Sequence, residues 1–179
     1  MIKAAILTIS DKGSRGERED KSGQVIKDIL KEIGVEDPLY DIVPDERGLI
    51  VKKLREWKDR VDLVLTTGGT GVAPRDVTPE ATREVVEKEL PGYGEAMRME
   101  SLKVTPRAIG SRALAGIAGR CLIVNLPGSP KGVEECLRVV LEVIPHTIEL
   151  IKGEGGECAR PHERHHSRHS ERSEESRSH

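Results

Sequence analysis

Four short apolar runs punctuate the chain, at residues 2–9, 39–43, 61–65 and 121–125. Each is rich in branched side chains and bounded by turn-forming residues, the pattern of a buried strand. Between and after them, residues 22–33, 46–58, 78–90 and 131–143 are predicted as helices, with 144–151 as a further one. Gly34 ends the first. Thr78, Pro79 and Glu80 open the third as an N-cap, a first-turn proline and a first-turn acid. Residues 91–120 are less regular: PGYGEAMRMESLK is compatible with a helix, and RALAGIAG with an extended segment near a sheet edge. Strands alternating with helices predict an α/β fold in three layers, a doubly wound, mostly parallel sheet with helices on both faces. Ligands of such sheets sit beyond the carboxyl ends of the strands. Those ends carry Ser10-Asp11, Pro44-Asp45, a glycine-rich loop with Asp76, and the turn from Asn125 to Ser129.

Composition changes this picture in a few places. The 179 residues carry a net charge of -2, so bulk electrostatics favour neither nucleic acid nor a membrane surface as partner. No apolar stretch reaches transmembrane length, and MIKAAILTIS is too short for a signal peptide and runs directly into the first strand. Three widely spaced cysteines, Cys121, Cys136 and Cys158, fit a reducing cytoplasm. Phe is absent, so the core must be built from Val, Ile, Leu and Ala. Gln24 and Asn125 are the only side-chain amides while 34% of residues are charged, a thermophile-like composition that bears on stability, not activity. From Gly153 the apolar periodicity stops, dividing the chain into a domain at 1–152 and a His/Arg/Ser-rich polar tail at 153–179 that is expected to be disordered. The tail contains His162-Glu163-Arg164-His165-His166, a match to the zinc-protease pattern H-E-x-x-H. That chemistry needs a buried helix holding both histidines on one face, and the polar flanks offer none, so the match is read as coincidence.

The chemistry concentrates in TTGGTGVAPRDVTPEAT, residues 66–82. Gly68, Gly69, Thr70 and Gly71 follow a strand and precede a helix, where an α/β protein brings bare backbone N–H groups to a phosphate. The same glycines also suit an ordinary tight turn. Asp76 in this loop can hold Mg²⁺ against a bound phosphate. Asp45 sits comparably on the neighbouring strand end, as a second metal ligand or as a helix N-cap. The first loop, SDKGSRGERED, is either a solvated loop or a cover for a ligand. Ser111-Arg112 can bind an anion by hydroxyl and guanidinium fork, or present an ordinary surface arginine. Two acids beside a glycine loop suit metal-assisted phosphoryl or nucleotidyl transfer.

The segments TISD (8–11), DKSG (20–23), PDE (44–46), the string at 66–82, PGYGEAMR (91–98), AIGSR (108–112) and NLPGSPKGVEECL (125–137) together resemble the molybdopterin-binding MoaB/Mog family. The likeness runs from residue 2 to 152, and is strongest in the stand-alone adenylyltransferase branch of molybdenum cofactor synthesis. It implies a homotrimer that uses Mg-ATP to transfer AMP to the terminal phosphate of molybdopterin, releasing pyrophosphate. It implies that Asp45 and Asp76 are the essential, metal-holding acids, and that Ser111-Arg112 lies near the pterin phosphate. Gly68 to Gly71, with Arg75, form the phosphate loop, and Asn125, Pro127, Gly128 and Ser129 a second phosphate-side turn. Ser10, Asp11, Asp20, Ser22 and Gly23 fall on the nucleotide side. Hand-over of product to a molybdate-insertion enzyme is a further expectation. The alternatives within reach of this resemblance are a MoaB-type paralogue that binds the pterin with little adenylation, and a trimeric scaffold. Keeping both aspartates favours the enzyme over the scaffold.

Overall fold

The computed structural model describes residues 1–154. In chain order its strands are β1 (Ala4–Ile9), β2 (Leu39–Val43), β3 (Leu63–Thr67), β4 (Lys88–Glu89), β5 (Ala115–Ala118) and β6 (Cys121–Leu126). Its helices are α1 (Asp11–Ser14), α2 (Lys21–Leu30), α3 (Arg47–Trp57), α4 (Thr78–Val85), α5 (Pro91–Leu102), α6 (Pro130–Leu141) and α7 (Val143–Lys152), with 3₁₀ turns at Lys31–Ile33 and Pro106–Gly110. The strands form one sheet in the order β2-β1-β3-β6-β5-β4. The first four run parallel, and β5 and β4 are antiparallel to their neighbours at the far edge.

Period-two alternation divides the strand side chains between two cores. Ala4 and Ile6 of β1, Leu63 and Leu65 of β3, and Leu122 and Val124 of β6 meet α2, α5, α6 and α7 on one face. Ala5, Leu7, Val64 and Ile123 meet α3 and α4 on the other, where Trp57 packs. This is the expected three-layer sandwich. With no Phe in the chain, fully buried Ile, Leu and Met side chains fill the volume, and each contributes about 1.5–3 kcal/mol on burial. Among the described residues, no helix is long and apolar enough to cross a membrane.

Several boundaries differ from the sequence reading. The strand expected at 61–65 starts at Leu63 and continues through Thr66 and Thr67. The helix expected at 78–90 stops at Val85 because the next residues are drawn into the sheet: Glu87 N–H donates to Ile117 O and Leu90 N–H to Ala115 O. Thr78 is the first helical residue and not an N-cap; its hydroxyl donates to Gly68 O at 2.8 Å instead of accepting from the helix. Part of the first loop is helical, as α1, capped by Ser10. The polar tail and its H-E-x-x-H match lie outside the described residues from 155 onward.

Candidate active site

The parallel register brings the carboxyl ends of four strands into line. Ile9 pairs with Val43, Thr8 with Thr67, and Thr67 with Leu126. The loops leaving them, at Ser10-Asp11, Pro44-Asp45, Gly68 and Pro127-Gly128, therefore open side by side.

The glycine loop is held there by close backbone packing. Gly68 has φ +99°, and a Cβ on it would collide with Ile9 O; Gly68 N–H donates to Leu126 O at 3.2 Å. Gly69 has φ +66°, and a Cβ there would collide with the Thr78 hydroxyl and lie 3.3 Å from Asp45 Oδ1. Only glycine takes these conformations at little cost. Thr67 Oγ1 donates to Pro127 O at 2.6 Å, tying the loop to the turn after β6. Among the described residues, the backbone N–H groups of Gly69, Thr70, Gly71 and Val72 have no acceptor. Four successive unpartnered donors on a turn have the make-up of an anion cradle.

Acids and one arginine lie at its foot. Asp11 and Asp45 exchange backbone amides: Asp11 N–H donates to Asp45 Oδ2 at 2.9 Å, and Asp45 N–H to Asp11 Oδ1 at 3.0 Å. Arg75 grips Asp11 bidentately at 2.6 and 2.8 Å. Its guanidinium holds the Asp11 carboxyl below the ordinary carboxylate range. Asp45 goes the other way: burial pushes its carboxyl up, and the charges of Asp11 and Asp76 push in the same direction. Asp76 Oδ2 accepts from Ala73 N–H at 2.9 Å. Oδ1 of Asp45 and Oδ1 of Asp76 accept no hydrogen bond among the described residues. Each of the two acids thus has one carboxylate oxygen to offer. Among the described residues no group of three or more His, Cys, Asp or Glu could hold a metal alone. A hard cation held here would therefore complete its shell with ligand oxygens, as Mg²⁺ does with phosphates.

Two cavities open on either side of the loop. The larger, about 840 Å³, is lined by Ser10, Asp20, Ser22, Asp45, Gly68, Gly69, Gly128 and Ser129. The second, about 550 Å³, is lined by Thr70, Gly71, Ser111, Pro127 and Ser129. Ser129 lines both, and also caps α6 by accepting from Gly132 N–H. The sequence reading missed Thr67, Arg18 and Lys21 in the first cavity and Arg98, Ser101 and Lys131 in the second. Thr67 beside the glycines, Arg18 in the first loop and Lys21 in the DKSG segment lay in stretches that carried a signal, without being singled out as residues.

Other expected site residues have structural work. Asn125 is fully buried in β6, where its amide donates to Thr66 and Thr82 hydroxyls at 3.0 and 2.9 Å. Asp20 lines the first cavity but caps α2, accepting from Gly23 N–H, Thr8 Oγ1 and the Tyr40 hydroxyl. Gly23 is packed so closely on Asp20 and Tyr40 that a side chain would not fit. Ser22 Oγ donates to Gly128 O at 2.7 Å. Arg112 lines neither large cavity; it faces a third, of about 310 Å³.

An anion cradle at the carboxyl edge of a parallel sheet, walled by two cavities and footed by two carboxylates, is the layout of an α/β protein that handles phosphate-bearing small molecules. Within that class the chain belongs to the molybdopterin-binding family: the family described as "Probable molybdopterin binding domain" matches residues 5–146. It is 52% identical over 157 residues to a molybdopterin adenylyltransferase of Helicobacter pylori, covering 85% of this chain and 89% of that protein. It is 46% identical to the molybdenum cofactor synthesis protein cinnamon of Drosophila melanogaster, covering 84% of this chain but 26% of that longer one. The crystal structure of the molybdopterin biosynthesis enzyme MoaB from Thermus thermophilus is 53% identical, with a TM-score of 0.79 over 86% of this chain and 98% of that one.

Proposed function

We infer that this chain is a molybdopterin adenylyltransferase of molybdenum cofactor biosynthesis, transferring AMP from ATP to the terminal phosphate of molybdopterin and releasing pyrophosphate. The observation that carries the reading is the glycine loop, whose four unpartnered N–H groups stand in the wall between two cavities. One phosphate-bearing substrate on each side meets the other at a shared set of donors. The larger cavity, with Lys21 and Arg18 on its lining, takes the nucleotide. The cavity beside Ser111 takes the pterin.

In the reaction a terminal-phosphate oxygen of molybdopterin bonds to the α-phosphorus of ATP, and the bond from that phosphorus to the bridging oxygen of pyrophosphate breaks. Negative charge spreads over the transferring phosphoryl oxygens, where fixed backbone donors stabilise it without reorganising. The amides from Gly69 to Val72 supply those donors. Asp45 and Asp76 would hold Mg²⁺ together with phosphate oxygens, and the ion supplies neutralising charge when bound. No proton need be taken from the attacking phosphate, and neither cavity lining includes a histidine. The work is positioning. The reading carries with it a cytoplasmic location, a homotrimer, and hand-over of the adenylylated pterin to a molybdate-insertion enzyme; solution mass measurement tests the trimer.

The likeness to MoaB keeps a second reading in play, a paralogue that binds the pterin with little turnover. Incubation with molybdopterin and Mg-ATP separates the two. The adenylyltransferase releases pyrophosphate only when both substrates are present, in step with adenylylated pterin. Tight pterin binding without pyrophosphate would favour the paralogue.

A further inference from the structure

We propose that Arg112 is a positioning residue that aims the phosphate loop, and not a ligand of the pterin phosphate. The functional half of this proposal rests on the adenylyltransferase reading; the structural half does not.

The Ser111-Arg112 pair is split by its backbone. Ser111 is extended, with φ -71° and ψ 127°, so successive side chains leave on opposite sides. Ser111 lines both the 550 Å³ and the 310 Å³ cavities, whereas Arg112 is absent from the lining of the 550 Å³ cavity and reaches only the 310 Å³ one. Each nitrogen of its guanidinium makes one bond to the loop or to α4. Nε donates to Gly71 O at 2.7 Å, one terminal nitrogen donates to Asp76 O at 2.7 Å, and the other pairs with Glu80. The Arg112 backbone N–H donates to Thr70 O at 2.9 Å. One residue thus holds the loop at Thr70, Gly71 and Asp76, and anchors it to the first turn of α4 through Glu80.

Peptide planarity gives these contacts a consequence. In a trans peptide the carbonyl of one residue and the N–H of the next point in opposite directions. Drawing the carbonyls of Thr70 and Gly71 toward Arg112 therefore turns the N–H groups of Gly71 and Val72 away from it. Those are two of the four donors without an acceptor. Holding Asp76 O fixes the backbone from which the Asp76 carboxylate projects. Glu80 completes the clamp: its second oxygen, Oε2, is buried without a partner among the described residues, so Arg112 is the side chain that pairs with this carboxylate.

A lysine separates the two roles. It keeps the positive charge that a phosphate ligand or Glu80 requires, but a point charge cannot hold two diverging carbonyls and a carboxylate as the guanidinium does. Two measurements on Arg112→Lys and Arg112→Ala decide the matter. The first is amide hydrogen exchange in the protein without substrate, at Ala73, Asp76 and Thr78, whose N–H groups bond within the loop. The clamp predicts exchange faster by about tenfold or more at these three in both variants, with β1 and β6 unchanged. The second is steady-state adenylation: kcat falls on the order of 100-fold in both variants, as for loss of an oriented donor, while the molybdopterin KM moves by less than about threefold. Unchanged exchange, with normal turnover in Arg112→Lys and a KM rise confined to molybdopterin in Arg112→Ala, overturns the proposal and makes Arg112 a direct ligand. Faster exchange with unchanged kcat in both variants overturns its functional half. Where Arg112→Ala fails to fold because Glu80 is left uncompensated, Arg112→Lys carries the test. Should the wild-type chain show no adenylation at all, the exchange result still decides the clamp while the functional reading fails separately.

Discussion

Replacing Gly69 with alanine tests the glycine loop at the point where backbone, the Asp45 carboxylate and α4 meet. The added methyl faces two obstacles. At φ +66° an L-residue occupies the left-handed region, at a cost of about 1–2 kcal/mol. The methyl also collides with the Thr78 hydroxyl, which donates to Gly68 O. Breaking that buried bond leaves both groups unsatisfied, at about 1–3 kcal/mol. Together the loss is about 2–5 kcal/mol, which at ordinary urea sensitivity moves the unfolding midpoint by roughly 1–2 M. The loop can escape part of this strain only by changing its dihedral angles, and that redirects the unpartnered amides from Gly69 to Val72. Either stability falls by that amount or adenylation falls steeply; both assays are read on the same sample. Gly48→Ala is the control. A Cβ there meets nothing within 4 Å in α3, and helix stability should rise by about 0.5–1 kcal/mol. A Gly69→Ala protein as stable and as active as the parent would refute both the loop conformation and the cradle built on it.

Other outcomes follow from the acids. Asp76→Asn keeps the side-chain volume and can keep an acceptor for Ala73 N–H, but amide oxygen is a poor ligand for a hard cation; adenylation should fall on the order of 100-fold with little change in stability. Asp45→Asn should lose activity likewise yet stabilise the fold at neutral pH. The Asp45 carboxyl is raised by burial and by the charges of Asp11 and Asp76, so the folded chain binds that proton more tightly than the unfolded one. Stability at this position is therefore full below the unfolded-chain value and lost as pH climbs through the folded one. Parent and Asp45→Asn should unfold alike at acid pH and diverge in favour of the variant as pH rises; a variant less stable at pH 7 would contradict the electrostatic argument. The Asp45→Asn, Asp76→Asn double variant should be little less active than either single one if both acids serve one assembly.

Local signals in the chain were legible where a short stretch determines its own structure. Gly34 ends its helical segment at φ +79°, and the four apolar runs all became parallel strands, β1, β3 and β6 buried on both faces and β2 at the edge with Tyr40 exposed. Long-range pairing was not legible. Nothing near residue 86 marks a helix end; it follows from the pairing of β4 with β5, whose residues lie about 30 positions away. Asn125 reads as a site residue because it opens the turn that leaves a strand end, and its partners Thr66, Thr82 and Leu114 N–H, none of them adjacent in sequence, explain its burial. The glycines and Asp45 were legible because they follow strands closely, and Asp76 because it lies in the loop that the glycines open. The opposite facing of Ser111 and Arg112 was not, because a dipeptide does not reveal which side of it the loop will occupy.

The most direct test of the adenylyl-transfer account follows the phosphorus. The chain is incubated with molybdopterin, Mg²⁺ and ATP labelled either at the α- or at the γ-phosphate, and the pterin product is separated. The account predicts that α-label appears on molybdopterin one-for-one with pyrophosphate release, and that γ-label stays wholly in pyrophosphate. Pterin carrying γ-label would mean phosphoryl rather than adenylyl transfer, and pterin carrying no label while bound to the protein would mean that the cradle holds molybdopterin without acting on it.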